Sequence, residues 1–369
     1  MSSSTQDPDH AFNHVRTQHS YEPSLTMIDF ANLPLVFVIG IFIVAAIIIA
    51  VAGWRLAAQA DRLADVTGMG EAVAGALLLG ATTSLPGILT STVTAWNGFA
   101  EMAVSNALGG ILAQTVFLAI ADITYRKINL EHAAASVSNI LQSTLLMVLL
   151  CTPLIAATLP DLSFWGINPI SLGLPLIYIA SLKMISASES HPTWVPSLTP
   201  ETREDVPEDD AENTNVPKLW ISFILTAAIV GGAGYFVAEC GMVISEKTGL
   251  SESAVGGVLT ALATSFPELV TVLAAVRQGA LTLAIGDIIG GNCFDVLFIA
   301  AADFAYRDGS IYHVIGNQQL FLISIALLMT ATLGMGLLRR QKKGIGNIGF
   351  ESLSILLLYC GAAVYLFLA

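Results

Sequence analysis

The sequence predicts an all-α membrane protein of ten transmembrane helices, arranged as two inverted five-helix repeats. Three observations carry this expectation. Only 12% of the residues are charged and 54% are hydrophobic, with a mean hydropathy of +0.73, whereas a soluble domain carries about 25% charged residues. Apolar stretches of about 20 residues, enough for one helical crossing of a bilayer, recur along the chain. One segment occurs twice, as GATTSLPGILT at 80–90 and as ALATSFPELVT at 261–271.

The elements follow in order. A polar N-terminal tail, 1–32, lacks the charged start and short apolar core of a cleaved signal peptide. Spans are expected at roughly 33–53, 70–95, 102–123, 136–160 and 166–186, then at roughly 218–238, 253–276, 282–303, 317–338 and 347–368. Period-two alternation is absent, so these read as helices and not as barrel strands. The first five-helix repeat thus occupies 33–186 and the second 218–369. Between them, 187–217 is Pro-rich and acidic, the composition of a solvated loop. A net charge of −13 argues against nucleic acid as a partner; the partners expected are the lipid bilayer and inorganic cations. Cys151, Cys240, Cys293 and Cys360 stand singly, with no disulfide or zinc spacing.

Charge sets the orientation. Ten spans put Arg55, Arg62, Arg126, Lys127, Lys183, Arg203, Lys218, Arg277, Arg339, Arg340, Lys342 and Lys343 on one side, and only Arg16, Lys247 and Arg307 on the other. The positive-inside rule makes the first side cytoplasmic. Both termini are then extracytoplasmic and the acidic loop is cytoplasmic, as expected for an integral protein of the plasma (inner) membrane.

Shifted by 181 residues, the halves align without a gap from about 71–126 onto about 252–307. The identities include Glu71/Glu252, Thr83/Thr264, Ser84/Ser265, Pro86/Pro267, Thr90/Thr271, Phe117/Phe298, Asp122/Asp303 and Tyr125/Tyr306. Shared hydropathy would pair Leu with Val or Ile; it would not pair Pro, Ser, Asp and Tyr at a fixed offset. Five spans separate equivalent points. Because five is odd, the second copy enters the membrane from the opposite face, the architecture of many secondary transporters.

The chemistry gathers in the duplicated segments. Pro86 and Pro267 lie inside apolar spans, where each removes a backbone donor and breaks the helix. Freed carbonyls beside hydroxyls are hard oxygen ligands. Thr264, Ser265, Glu268 and Thr271 share one helical face, and Thr83, Ser84, Gly87 and Thr90 the equivalent one. Small residues also serve close packing, but a carboxyl inside a span normally marks an ion pathway. In the next span of each repeat, Asn106, Gly110 and Gln114 match Asp287, Gly291 and Asp295. Asp295 is expected deeper than Asp287, which belongs to the candidate set in addition. Asp122 and Asp303, beside Tyr and Arg, are expected to be interface anchors with local ion pairs.

These residues resemble the α-repeats of the cation/calcium antiporter superfamily, which includes the sodium/calcium exchangers. The family pattern is G-T-S-x-P-E followed by G-N/D-x-x-G-S-N-x-x-N/D. The second repeat reads ATSFPE and GDIIGGNCFD, a close match; the first reads TTSLPG and SNALGGILAQ, a partial one. The resemblance implies exchange of calcium, sodium or protons by alternating access, with no resident cofactor. It implies ion-binding positions at Thr83, Ser84, Gly87, Gly110, Gln114, Thr264, Ser265, Glu268, Gly291 and Asp295, with Glu268 and Asp295 as the charged cation ligands. The chain departs from the pattern where Gly87 replaces Glu, Gly110 and Gly291 replace Ser, and Gln114 replaces Asn. Calcium exchange is the leading expectation. The alternatives are a monovalent-cation/proton antiporter and a membrane sensor or scaffold without turnover. An enzyme is not expected, since no His accompanies Ser84 or Ser265 in the motif segments. On this reading, Gly87→Glu alone is expected to shift preference toward divalent cations.

Overall fold

The computed structural model describes residues 29–67, 76–125, 127–134, 136–190, 194–197, 199, 215–344 and 348–369. Most of the N-terminal tail and of the acidic loop, with Glu71 and Arg126, lies outside them. The helices are α1 Leu35–Thr67, α2 Ala76–Thr83, α3 Leu85–Trp96, α4 Ala100–Thr124, α5 Leu130–Ala133, α6 Val137–Thr158, α7 Pro169–Ser190 and α8 Val216–Thr248. They continue as α9 Glu252–Thr264, α10 Phe266–Gln278, α11 Leu281–Asp295, α12 Leu297–Ala305, α13 Ile311–Val314, α14 Asn317–Arg339 and α15 Phe350–Leu368. Among the described residues, eight helical stretches are long and apolar enough to cross a membrane, and α9 with α10 passes the same test as a pair bent by 46°. The protein is an integral membrane protein. Val36, Phe37, Val44, Ile47 and Val51 of α1 and Ile221, Ile224 and Ile229 of α8 face outward, a surface for lipid rather than water.

Local chemistry sets many of the ends. Ser136 accepts from the Asn139 N–H at the start of α6, and Ser251 from Ala254 at the start of α9. Asn215 caps α8, with Pro217 just inside. Gly249 and Gly279 close α8 and α10 in the left-handed conformation, at φ 73° and 89°. Both α1 and α8 run to 33 residues, well past the expected ends near 53 and 238. The extension of α1, RLAAQADRLADVT, is rich in strong helix formers and too polar to register as apolar span. Each of these helices is about 50 Å long against an apolar slab of about 30 Å, so each tilts or protrudes.

The repeat extends beyond the segment where sequence identity is visible. Leu35–Thr67 and Val216–Thr248 begin and end at equivalent positions, as do Ala100–Thr124 and Leu281–Ala305. The halves are also interleaved. A Cβ on Gly234 of α8 would lie 2.8 Å from the Pro86 carbonyl oxygen, and one on Gly53 of α1 would collide with the Pro267 ring. Each proline break is therefore seated against a glycine of the other half's long helix. Thr90 adds a hydroxyl bond to the Gly234 carbonyl at 3.0 Å.

The two Asp-Tyr-Arg elements are matching latches. Asp122 accepts from the Leu130 N–H at 2.8 Å and the Gly349 N–H at 3.2 Å. Asp303 accepts from the equivalent Ile311 N–H at 2.9 Å and Asn168 N–H at 2.8 Å, and from the Ser171 hydroxyl at 2.7 Å. Each thus ties a short helix and a distant span to the end of a central one. The ion pair expected at Asp303 is not its main bonding: N–H and O–H donors occupy its oxygens, while Arg307 lies 5.2 Å over the Trp96 ring.

The latches differ in charge. Tyr312, which bonds Ser171 at 2.9 Å beside Asp303, has Glu131 as its counterpart beside Asp122. Burial pushes the Glu131 carboxyl well above the usual carboxylate range, and the carboxylates of Asp122 and Glu351 push it further. Its folded-state value thus exceeds its unfolded one. The stability it contributes is present at acid pH and is lost as pH rises through the raised value. Glu131→Gln is expected to flatten the fall in thermal stability as pH rises above the usual carboxylate range. Unfolding of the detergent-solubilised variant and wild type checks this; parallel profiles would contradict it.

Candidate functional site

Pro86 has no N–H for the Thr82 carbonyl, and Pro267 none for Ala263, so both helices break two residues before the proline, at Ser84 and Ser265. The ψ angle there opens to near 0°, with φ/ψ of −80°/−2° and −97°/6°. Both breaks face a single cleft, lined by Ser84 and Gly87 of the first repeat and by Thr264, Ser265 and Glu268 of the second. The central helices complete it with Asn106, Gly110 and Gln114 from α4, Asp295 from α11 and Phe298 from α12. The space left for a water-sized group is about 10 Å³, room for roughly one water or one bare cation.

Two carboxylates face this space. Asp295 accepts from the Ser84 hydroxyl at 2.7 Å and from the Gln114 amide at 2.6 Å. Gln114 and Asp295 are equivalent residues of the two repeats, so their bond joins the halves across the pseudo-twofold axis. Glu268 is 4% exposed. Its Oε2, like Oε1 of Gln114, is a buried acceptor without a protein partner among the described residues. Such atoms are rare in folded proteins, and a bound ion or water is their usual explanation. No Lys, Arg or His lines the cleft among the described residues.

The other expected positions fall around this core. The Thr83 hydroxyl is within reach of the Gly80 carbonyl at 3.3 Å and of the Glu268 carboxylate, just outside the lining. A Cβ on Gly110 would lie 3.4 Å from both Asp295 Oδ2 and Ser265 Oγ. Gly291 stands behind Gln114, its Cβ position 3.2 Å from Oε1, and does not line the cleft. Asp287 lies apart, half-buried, accepting from the Thr271 hydroxyl at 3.4 Å with Asp61 nearby. Phe298 lines the cleft unforeseen. A Cβ on Gly87 would come within 2.6 Å of its ring, so a side chain at 87 needs that ring to move. Glu239, fully buried in α8, is a further acid that the sequence reading passed over; its signal was a charge inside an apolar span.

One approach to the cleft is closed by packing. Toward the end where α1 begins and α15 ends, the terminal face, α9 is clamped on α4. Thr260 donates to Asn106 Oδ1 at 2.7 Å, and the Asn106 amide reaches the Gly87 carbonyl at 3.2 Å and Ser91 at 3.0 Å. Gly109 abuts the Gly257 backbone so closely that no side chain fits. Gln319 ties Ser105 at 3.0 Å to Ser253 at 2.7 Å. At the opposite, linker face, the segment equivalent to the start of α9, 71–75, lies outside the described residues. Among the described residues, Gly290, the equivalent of Gly109, has the Gln142 amide oxygen 3.5 Å from its Cβ position, and Asp287, the equivalent of Asn106, accepts from Thr271 at 3.4 Å.

Comparison with known proteins gives the following. The family model described as sodium/calcium exchanger protein matches residues 37–186 and 218–368. The chain is 26% identical over 275 residues to the inner membrane protein YrbG of Escherichia coli, covering 73% of this chain and 80% of that one. It is 25% identical over 297 residues to the putative antiporter CaxA of Alkalimonas amylolytica, covering 80% and 89%. In structure it resembles the H+/Ca2+ exchanger CAX with a TM-score of 0.64 at 12% identity, covering 90% of this chain and 86% of that one.

Proposed function

The chain belongs to the sodium/calcium exchanger protein family, and we propose that it exchanges calcium for sodium or protons by moving the central cleft between the two faces of the membrane. It is a cation antiporter by family; the ion and the residues that hold it are our reading. The observation that carries the reading is the pair of inward-facing carboxylates, Glu268 and Asp295, beside two buried acceptors, Glu268 Oε2 and Gln114 Oε1, that lack protein partners among the described residues. The ligands would be Glu268 and Asp295, helped by Thr83, Ser84, Thr264, Ser265 and Gln114. Gly110 leaves room for the ion, and Asp287 with Asp61 forms its approach.

The charge count supplies the coupling. Two ionised carboxylates in a small, desolvated cleft are costly unless neutralised. The empty, ionised carrier is therefore disfavoured while the cleft is occluded, and the loaded or protonated one is not. Exchange follows, because the halves can rock only with a neutralising load. The clamp of α9 on α4 fits a state closed at the terminal face. We assign the linker face to the cytoplasm and both termini to the outside, in the plasma (inner) membrane, from the Lys and Arg asymmetry.

Calcium uptake into proteoliposomes, driven in turn by an imposed sodium or proton gradient, tests the reading. Uptake under either gradient is expected; none under both overturns calcium as the load. A second reading, a monovalent-cation/proton antiporter, is favoured by Gly87, which leaves one carboxyl fewer than the family pattern. It predicts sodium or potassium flux in the same vesicles. The closed face gives a further expectation. Thr260→Val removes the 2.7 Å bond to Asn106, worth about 1 kcal/mol, so it shifts the balance of the two states roughly fivefold toward opening at the terminal face. Thiol labelling of a cysteine placed beside Gly257 reads the shift; unchanged labelling would place the gate elsewhere.

A further inference from the structure

Phe298 stands outside the motif positions, yet it lines the cleft beside both carboxylates. It is 3% exposed. A Cβ on Gly87 would lie 2.6 Å from its Cε2, 3.2 Å from Cζ and 3.6 Å from Cδ2. Real Cβ atoms do not approach carbon so closely, so a side chain at 87 and the ring at 298 compete for one space. The ring is held where it is. It packs edge-on against Phe294, with centroids 6.2 Å apart at 81°, and Phe294 packs on Tyr178 at 5.9 Å and 74°. The symmetry counterpart, Phe117, is equally buried but does not line the cleft. On that side, position 268 carries its carboxyl.

We infer that Phe298 is a specificity-determining residue: its ring fills the space of a residue-87 side chain and holds the cleft at two carboxylates, hence at two charges of load. The inference rests on the reading of the cleft as the transport site, and it gives that site a charge capacity. Two carboxylates are neutralised by one divalent cation or by two monovalent charges. Exchange of one for the other moves no net charge and is insensitive to membrane potential. Gly87 and Phe298 act as a pair, so the acid can be restored only when the ring is removed.

Four proteins test this: wild type, Gly87→Glu, Phe298→Ala and the double variant, each titrated with calcium chloride by calorimetry in detergent. Gly87→Glu alone is expected to bind calcium no better than wild type, or to fail to fold. The double variant is expected to bind it about tenfold or more tightly than Phe298→Ala, since affinity rises with ligand charge. A gain by Gly87→Glu alone equal to that of the double variant would overturn the inference. So would a folded double variant with no gain over Phe298→Ala. Should the double variant not fold, Phe298→Ala decides by itself: the space freed by the ring lets barium raise its thermal stability more than it raises that of wild type, and an equal effect overturns the inference. Adding Glu268→Gln to the double variant separates the two levels. If the gained calcium affinity survives, the cation does not sit in the cleft and the transport reading fails. If it is lost, that reading stands whatever position 298 does.

Discussion

Glu268→Gln is expected to reduce cation exchange to the level of protein-free vesicles while leaving a folded protein. The amide keeps the shape of the carboxyl and removes its charge. A cation in the cleft would then face Asp295 alone, whose oxygens already accept from Ser84 and Gln114. Removing one partner of a buried ion pair costs about 3–5 kcal/mol, so affinity falls by two orders of magnitude or more. The ion-free protein has no such loss, because a neutral amide is easier to bury than a carboxylate. Two measurements on the same preparation read this out: tracer flux in vesicles, and the rise of the unfolding temperature with calcium or sodium. Flux should vanish and the ion-dependent rise should disappear with it. Persistent flux would remove Glu268 from the transport path. A cellular effect that persists without flux would favour the sensor or scaffold.

The second large effect concerns packing. Gly234→Val places a branched side chain where a Cβ alone would lie 2.8 Å from the Pro86 carbonyl oxygen and 2.9 Å from its Cα. The obstacle is backbone at a helix break and cannot rotate away. Overpacking costs about 1–3 kcal/mol where side chains can yield, and more where they cannot. The expected result is a marked loss of monodisperse protein, with flux below about a tenth of wild type in what remains. Gly232, two residues away on the same helix, has open space where its Cβ would be. Gly232→Val is therefore expected to fold and transport normally. Equal damage from both would mean that α8 tolerates no bulk there for general reasons, and the seat for Pro86 would lose its significance.

The sequence disclosed the fold where polar identities recur at a fixed offset, since Pro86/Pro267, Ser84/Ser265 and Asp122/Asp303 have no reason to pair through hydropathy. It disclosed less where the helix code is carried by propensity. The second half of α1 is amphiphilic and stays helical past the apolar run. The charged and hydroxylic cleft residues were legible because each is expensive inside a membrane. Phe298 was not, because an aromatic ring in an apolar span looks the same whether it faces lipid, core or ion. Its identity with Phe117 was visible, but which ring faces the cleft depends on the packing of α12 against α3 and not on the residue itself. Asn106 could be placed on the right face by its spacing. Its bond to Thr260 could not, since 154 residues separate them.

The seating of each proline break in the other half has a consequence for how the chain is made. As synthesis proceeds, α3 enters the membrane long before α8 exists. Thr90 and Gly234, which touch in the finished protein, lie 144 residues apart. Until α8 arrives, the Pro86 backbone lacks the Gly234 surface that packs against it, and Thr90 lacks its second carbonyl partner. The first half is thus a waiting intermediate and not an independent domain. Expressed alone it is open to degradation; co-expressed with the second half as a separate chain, it has the partner surface it needs.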